Sequence, residues 1–159
     1  MQVAIIFGSV SDKSVMKKAA DVLREFGVEF SAHILSAHRV PELLEKTVRN
    51  LERAGVEVFI AGAGLSAALP GVIASATIVP VIGVPIASGG LGGLDALLAV
   101  AQMPKPVPVA TVGLDNAANA AYLAIEILAV KYPDLKERLR RFRETMKASF
   151  EETKVDLSL

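Results

Sequence analysis

The sequence contains no cysteine and no tryptophan, and only 5% of its 159 residues are aromatic. Without cysteine there is no disulfide, no thiolate metal ligand and no thiol nucleophile. Basic and acidic side chains number 17 each, so the chain lacks the unbalanced basic face that binds nucleic acid or an anionic membrane. The length predicts a single domain. We therefore expect a cytoplasmic enzyme or small-molecule binding protein, with neither a nucleic acid nor a membrane as its partner.

Charge is also scarce in the middle of the chain. Residues 58–125 carry only Asp95, Lys105 and Asp115, and the mean hydropathy of the chain is +0.47. A membrane-spanning helix needs about 20 consecutive, mostly apolar residues, whereas glycine and proline interrupt this segment repeatedly. The segment therefore predicts buried strands and short helices. The N-terminus has no basic region and no small-residue cleavage site, so we expect no signal peptide.

Strand-like and helix-like segments alternate along the chain. The alternation predicts an α/β fold with right-handed βαβ units, in which helices cover both faces of a mainly parallel sheet. The last helix-like segment is highly charged but carries one apolar stripe from Leu135 to Phe150. We expect one α/β domain over residues 1–133 and a C-terminal helix within 134–159 that packs on the body or on a neighbouring subunit. The predicted strands span 2–7, 28–35, 56–61, 79–84 and 107–112, and the later helices span about 66–77, 94–101, 116–131 and 134–154.

Four polar or glycine-rich loops follow the first four predicted strands, at residues 8–12, 36–39, 62–64 and 88–93. Ligands of open parallel sheets bind outside the carboxyl ends of the strands, where such loops converge. The sequence therefore predicts a binding site at this edge of the sheet.

The first loop offers the hydroxyls of Ser9 and Ser11, the carboxylate of Asp12 and backbone N–H groups at a helix N-terminus. This combination suits an anion such as phosphate, although simple helix capping by Ser11 or Asp12 explains it equally well. Other polar or glycine positions are equally ambiguous. Gly64 either admits a ligand close to the backbone or permits tight packing. Ser66, Asn116 and Asn119 are contacts or caps.

His38 and Arg39 lie side by side after the second strand, in a chain with only two histidines. Imidazole moves protons near neutral pH, and guanidinium binds phosphate through two hydrogen bonds. The alternative is a surface pair with no role. His33 lies within a strand and is interpreted as structural. The sequence has no dinucleotide fingerprint, Walker A loop, G-x-S-x-G elbow or metal-ligand cluster, so it offers no support for a metal site or a serine hydrolase.

Taken together, these loops resemble the N5-carboxyaminoimidazole ribonucleotide mutase family of purine (IMP) biosynthesis. Each motif is weak alone, but the set occurs in the family's order and spacing from residue 3 to about 130. The segments that carry the resemblance are Gly8-Ser9-Val10-Ser11-Asp12, Ser36-Ala37-His38-Arg39-Val40-Pro41, Ala61-Gly62-Ala63-Gly64, Leu69-Pro70-Gly71, Pro80 to Pro85, Gly93 to Leu98, Gln102-Met103-Pro104 and Pro108 to Thr111.

The resemblance implies a flavodoxin-like three-layer α/β/α sandwich and a homo-octamer with active sites between subunits. It also implies a cofactor-free reaction that moves a carboxylate from N5 of the aminoimidazole nucleotide to ring carbon C4. His38 matches the histidine that serves as acid and then as base. The positions that match substrate contacts are Ser9, Ser11 and Asp12 for phosphate and ribose, and Arg39 for phosphate. We also expect Ser36, Gly64 and Ser66 to bind the substrate.

One segment departs from the family pattern. After Gly64 the family usually continues gly-ala-ala-his, whereas this chain has Leu65-Ser66-Ala67-Ala68, so Ala68 replaces a second active-site histidine. We expect activity to survive, because His38 can perform both proton transfers. Two alternatives stay open: a carboxylase that uses carbon dioxide directly, and a catalytically weakened nucleotide-binding homologue. A similar domain in a nicotinate-nucleotide carboxylase belongs to a longer protein and uses a cysteine that this chain lacks.

The uncharged middle also bears on assembly. The small-residue helices predicted within residues 58–125 lack the charged face that the outer helices of a monomer present to water. We therefore expect this segment to combine the interior of the sheet with a subunit interface.

Overall fold

Five strands form one sheet in which every neighbouring pair runs parallel. The computed structural model describes residues 1–152. The strand order is β2-β1-β3-β4-β5, the flavodoxin-like order, which confirms the predicted fold class. The strands are β1 Val3–Phe7, β2 Phe30–Ile34, β3 Val58–Gly64, β4 Val81–Ile86 and β5 Ala110–Thr111.

Six helices form the outer layers. Successive side chains of β1 alternate between the two faces of the sheet, with Val3, Ile5 and Phe7 in one core and Ala4 and Ile6 in the other. None of the helices within residues 1–152 is long and apolar enough to cross a membrane. The helices are α1 Lys13–Glu25, α2 Pro41–Arg53, α3 Leu69–Ala76, α4 Leu94–Ala101, α5 Ala117–Ala129 and α6 Pro133–Glu152.

The two cores follow from the amphipathic helices. α1, α5 and α6 contribute apolar side chains to the core on one face, and α2, α3 and α4 contribute to the core on the other. Two helix ends carry residues typical of those positions: Pro41 is in the first turn of α2, and Gly27 follows α1 with a φ of +63°. The three-layer arrangement therefore follows from local sequence patterns, namely the apolar faces of the helices and the residues at the helix ends.

Two elements are shorter than predicted. The fifth strand, expected over 107–112, is reduced to Ala110–Thr111, because the nearby prolines at 104, 106 and 108 have no N–H to donate to a ladder. The helix expected from residue 66 begins at Leu69, because Leu65 and Ala67 adopt positive φ angles of 54° and 26° that a right-handed helix excludes.

One face of α5 is covered within its own chain. Its seven buried residues belong to one core together with side chains of α1, α6 and the sheet. This burial accounts for part of the scarcity of charge in the segment, and the predicted subunit interface stays a prediction.

The apolar stripe of α6 is only partly covered. Leu135 and Leu139 are buried in the core, and Phe142 contacts the rings of Phe26 and Tyr122 at centroid distances of 5.4 and 5.3 Å. Met146 and Phe150 are exposed. The predicted helix end near residue 154 lies outside the described residues, and the division into 1–133 and 134–159 stays a prediction.

Candidate active site

A cleft of about 320 Å³ opens at the carboxyl ends of β1, β2, β3 and β4. Ligand pockets in proteins begin at about this volume. All eight residues expected at the site lie around this one cleft, so the convergence predicted from the sheet topology is observed, while the role of each residue stays a prediction. These residues are Ser9, Ser11, Asp12, Ser36, His38, Arg39, Gly64 and Ser66.

The first loop turns through a short 3-10 segment, residues 10–12, before α1 begins. Ser9 accepts a hydrogen bond from the backbone N–H of Ser11 at 3.3 Å, and the Ser11 hydroxyl donates to Ser9 Oγ at 2.9 Å. Asp12 stands immediately before α1, but its carboxylate makes no capping bond. Capping therefore explains Ser9 in part and leaves the Asp12 carboxylate without a structural task at the helix end.

Asp12 is the one polar or charged residue that is buried among the described residues of the chain. Burial raises the pKa of its carboxyl group above the ordinary value. Hydrogen bonds with the Ser11 hydroxyl and the Ser9 backbone offset only part of that rise. Its carboxylate lines the cleft, where hydroxyl groups of a ligand can donate the hydrogen bonds that water supplies elsewhere.

The second loop holds its two functional candidates at the tip of a turn. The turn closes where the Val40 N–H donates to the Ser36 carbonyl at 3.0 Å, just before α2. His38 and Arg39 are exposed, and neither side chain has a hydrogen-bond or ion-pair partner within residues 1–152. The imidazole of His38 and the guanidinium of Arg39 are therefore both available to a ligand.

His33 has a different environment. Its Nε2 lies 2.9 Å from Ser31 Oγ on β2, and burial lowers the pKa of its ring. It does not line the cleft. The structure agrees with its interpretation as a structural residue.

The third loop carries backbone strain. Leu65 and Ala67 both occupy the left-handed region, which costs roughly 1–3 kcal/mol for each residue that is not glycine. Ala68 lines the cleft with its methyl group. The expectation that it replaces a second active-site histidine stays a prediction.

Sequence reasoning missed Ser88 as an individual site residue, although it identified the loop that begins there. Ser88 lines the cleft from the end of β4. A Cβ atom on Gly64 would lie 2.2 Å from Ser88 Oγ, so a larger residue at position 64 would displace the Ser88 hydroxyl. Asn116 is a helix cap, since its Oδ1 accepts from the Asn119 N–H at 3.2 Å, and neither asparagine lines the cleft.

The cleft thus combines one exposed guanidinium, several hydroxyls, a buried carboxylate and one exposed imidazole. Residues 2–149 match the AIR carboxylase family. The chain belongs to the AIR carboxylase family. Membership confirms the resemblance found in the motifs of the sequence.

Relatives within the AIR carboxylase family cover almost the whole chain. The N5-carboxyaminoimidazole ribonucleotide mutase of Pyrococcus abyssi is 57% identical over 146 residues, which are 92% of this chain and 84% of that protein. The protein of the same name from Saccharolobus solfataricus is 47% identical over 155 residues, or 98% of both chains. The crystal structure of Treponema denticola PurE superposes with a TM-score of 0.88 at 28% identity, covering 95% of this chain and 94% of that one.

Proposed function

We propose that this chain is an N5-carboxyaminoimidazole ribonucleotide mutase of purine biosynthesis. It converts N5-carboxyaminoimidazole ribonucleotide into 4-carboxy-5-aminoimidazole ribonucleotide. The observation that supports the proposal most directly is the cleft, in which His38, Arg39 and the Ser9–Asp12 loop meet, in a chain that shares 57% identity with a mutase.

The nucleotide is held first by its phosphate and ribose. The Arg39 guanidinium and the hydroxyls of Ser9 and Ser11 bind the phosphate, and the Asp12 carboxylate accepts hydrogen bonds from the ribose. These contacts are remote from the reacting atoms. Their binding energy orients the imidazole ring beside His38, which is how remote contacts accelerate a chemical step.

The chemical step needs one group that gives and then takes a proton. The bond between N5 and its carboxylate breaks, its electron pair stays on N5, and protonated His38 supplies the proton that N5 takes up as carbon dioxide leaves. Ring carbon C4 then attacks the carbon dioxide, and neutral His38 removes the C4 proton. His38 ends protonated, as it began, so the cycle closes with a single histidine and without a cofactor.

Ala68 does not interrupt this cycle, because His38 performs both transfers. The methyl group keeps that wall of the cleft apolar, which favours neutral carbon dioxide over water as the occupant. A cleft shielded from water also prevents the carbon dioxide from escaping before it is captured.

A direct assay tests the function. Purified protein receives N5-carboxyaminoimidazole ribonucleotide without ATP, metal or bicarbonate, and formation of the C4-carboxylated isomer is followed. Turnover supports the mutase, and its absence rejects it. Turnover only with aminoimidazole ribonucleotide and bicarbonate selects the carboxylase. Binding without either reaction selects the weakened homologue, which the loss of the histidine at Ala68 favours.

As part of this proposal the chain works in the cytoplasm as a homo-oligomer, with an octamer as the expected size. Support comes from five exposed leucines around the 88–93 loop and on α4, each 38% to 67% exposed, which we call the leucine patch: Leu65, Leu91, Leu94, Leu98 and Leu114.

Asp12→Asn is expected to separate stability from binding. Because burial raises the pKa of Asp12, the ionised form destabilises the free protein, and stability falls as the pH rises through that pKa. The amide removes this penalty, so we expect a higher melting temperature near neutral pH and a weaker pH dependence. Loss of the carboxylate should weaken nucleotide binding about tenfold or more. Calorimetric melting and titration measure the two effects, and a lower melting temperature with unchanged affinity would contradict both.

A further inference from the structure

Ser88 lies at the end of the cleft opposite the proposed phosphate site. It follows β4, whereas His38 and Arg39 follow β2, and two strands separate β2 from β4 in the sheet. Neighbouring strands are about 4.8 Å apart, so the backbone at the end of β2 and the backbone at the end of β4 are about 14 Å apart. The His38 side chain and a carboxylated imidazole ring would together span most of that distance, so the ring can lie beside His38 while its carboxylate faces Ser88. A nucleotide whose phosphate is bound over β1 and β2 therefore extends its ring toward β3 and β4.

Charge is confined to the other end of the cleft. The charged and titratable lining residues, Asp12, His38 and Arg39, all come from the loops after β1 and β2. The lining residues at the ends of β3 and β4 are residues 63–69 and Ser88, and none of them is charged. Side-chain hydrogen-bond donors at this neutral end are limited to the hydroxyls of Ser66 and Ser88.

The Ser88 hydroxyl lies at the wall of the cleft, close to Gly64. A Cβ atom at position 64 would approach its Oγ to 2.2 Å, so glycine at that position leaves room for the hydroxyl. Within residues 1–152 it has no hydrogen-bond partner. A hydroxyl donor without a protein partner at the wall of a cleft is available to a ligand.

We propose that the Ser88 hydroxyl donates a hydrogen bond to the migrating carboxylate and thereby makes the cleft prefer carboxylated over uncarboxylated nucleotide. The inference rests on the proposed function and adds a specificity-determining residue to it. The hydroxyl can reach the carboxyl group both before and after its transfer, because N5 and C4 are neighbouring positions on the same imidazole ring.

A neutral donor suits this reaction better than a cation would. Decarboxylation converts an anion into neutral carbon dioxide, so a lysine or arginine here would stabilise the starting carboxylate and raise the barrier to its loss. A hydroxyl orients the carboxylate without holding it strongly. The absence of charge among residues 63–69 and at Ser88 is therefore consistent with a site that must release and recapture carbon dioxide.

Titration calorimetry with two nucleotides tests the inference. The carboxylated probe is 4-carboxy-5-aminoimidazole ribonucleotide, and the uncarboxylated probe is 5-aminoimidazole ribonucleotide. Ser88→Ala should weaken binding of the carboxylated probe about tenfold or more and change binding of the other less than about twofold, because only one of them offers the carboxylate. Ser88→Asp should weaken binding of the carboxylated probe further, because the two carboxylates repel each other.

Ser75→Ala is the matched control, since Ser75 is an exposed serine on α3 whose hydroxyl donates to the Val72 carbonyl. It should bind both probes as the unmodified chain does. Equal weakening of both probes by Ser88→Ala, or no weakening, would overturn the inference while leaving the proposed function intact. If the unmodified chain binds neither probe, the proposed function fails and this inference fails with it.

Discussion

Replacing His38 with asparagine should lower kcat by about 10³-fold or more and leave nucleotide affinity within a fewfold of its original value. In the proposed cycle His38 both protonates N5 and removes the C4 proton, and a general acid–base group contributes roughly 10²–10⁴-fold to a single transfer. Asparagine keeps the approximate size and polarity of the imidazole but cannot transfer a proton at neutral pH. The phosphate contacts of Arg39 and the first loop are untouched. Steady-state kinetics and titration calorimetry give the two quantities.

His33→Asn is the control, because His33 lies on β2 outside the cleft. It should retain turnover, although loss of the His33–Ser31 hydrogen bond can lower the melting temperature slightly. Unchanged kcat in His38→Asn would remove His38 from the chemistry. Comparable loss of kcat in both variants would show that the effect is not specific to the cleft.

The site was predictable from the sequence because its parts are local. A buried parallel strand is recognisable in the sequence as a short apolar run. The polar or glycine-rich residues that follow each run must lie at the edge of the sheet where the strands have their carboxyl ends. Gly8 after β1 and Ser36 after β2 mark such ends, and the residues that follow them meet in one cleft. The topology of the sheet therefore brings together candidates that are separated by almost sixty positions in the chain.

Contacts between distant loops were not predictable in the same way. The approach of Ser88 to Gly64 depends on how two loops pack, and no periodicity encodes it. The same holds for α4 and α5, which are both poor in charge. α5 is covered by α1 and α6 of its own chain, whereas α4 exposes Leu94 and Leu98. Missing charge predicts that a surface is covered, but it does not identify what covers it.

Leu98→Glu is expected to dissociate the proposed assembly. Leu98 is half-exposed on α4 and belongs to the leucine patch. If a second copy covers that patch, the substitution buries a carboxylate in an apolar interface, which costs several kcal/mol when no partner is present. Light scattering should show the mass fall from about eight times 16.7 kDa toward 16.7 kDa. Turnover should fall with it, because Leu65 lies both in the patch and at the cleft.

Leu43→Glu provides the matched comparison, since Leu43 is similarly exposed but lies on α2, outside the leucine patch. It should retain both the assembly mass and the turnover. A second substitution in the patch, Leu94→Glu, should reproduce the dissociation and guards against a purely local effect at residue 98. A monomeric mass for the unmodified chain, or an intact assembly in both patch variants, would exclude α4 as the face that a second copy covers. Dissociation of the patch variants alone would instead show that the leucine patch, within the charge-poor residues 58–125, forms the contact between subunits.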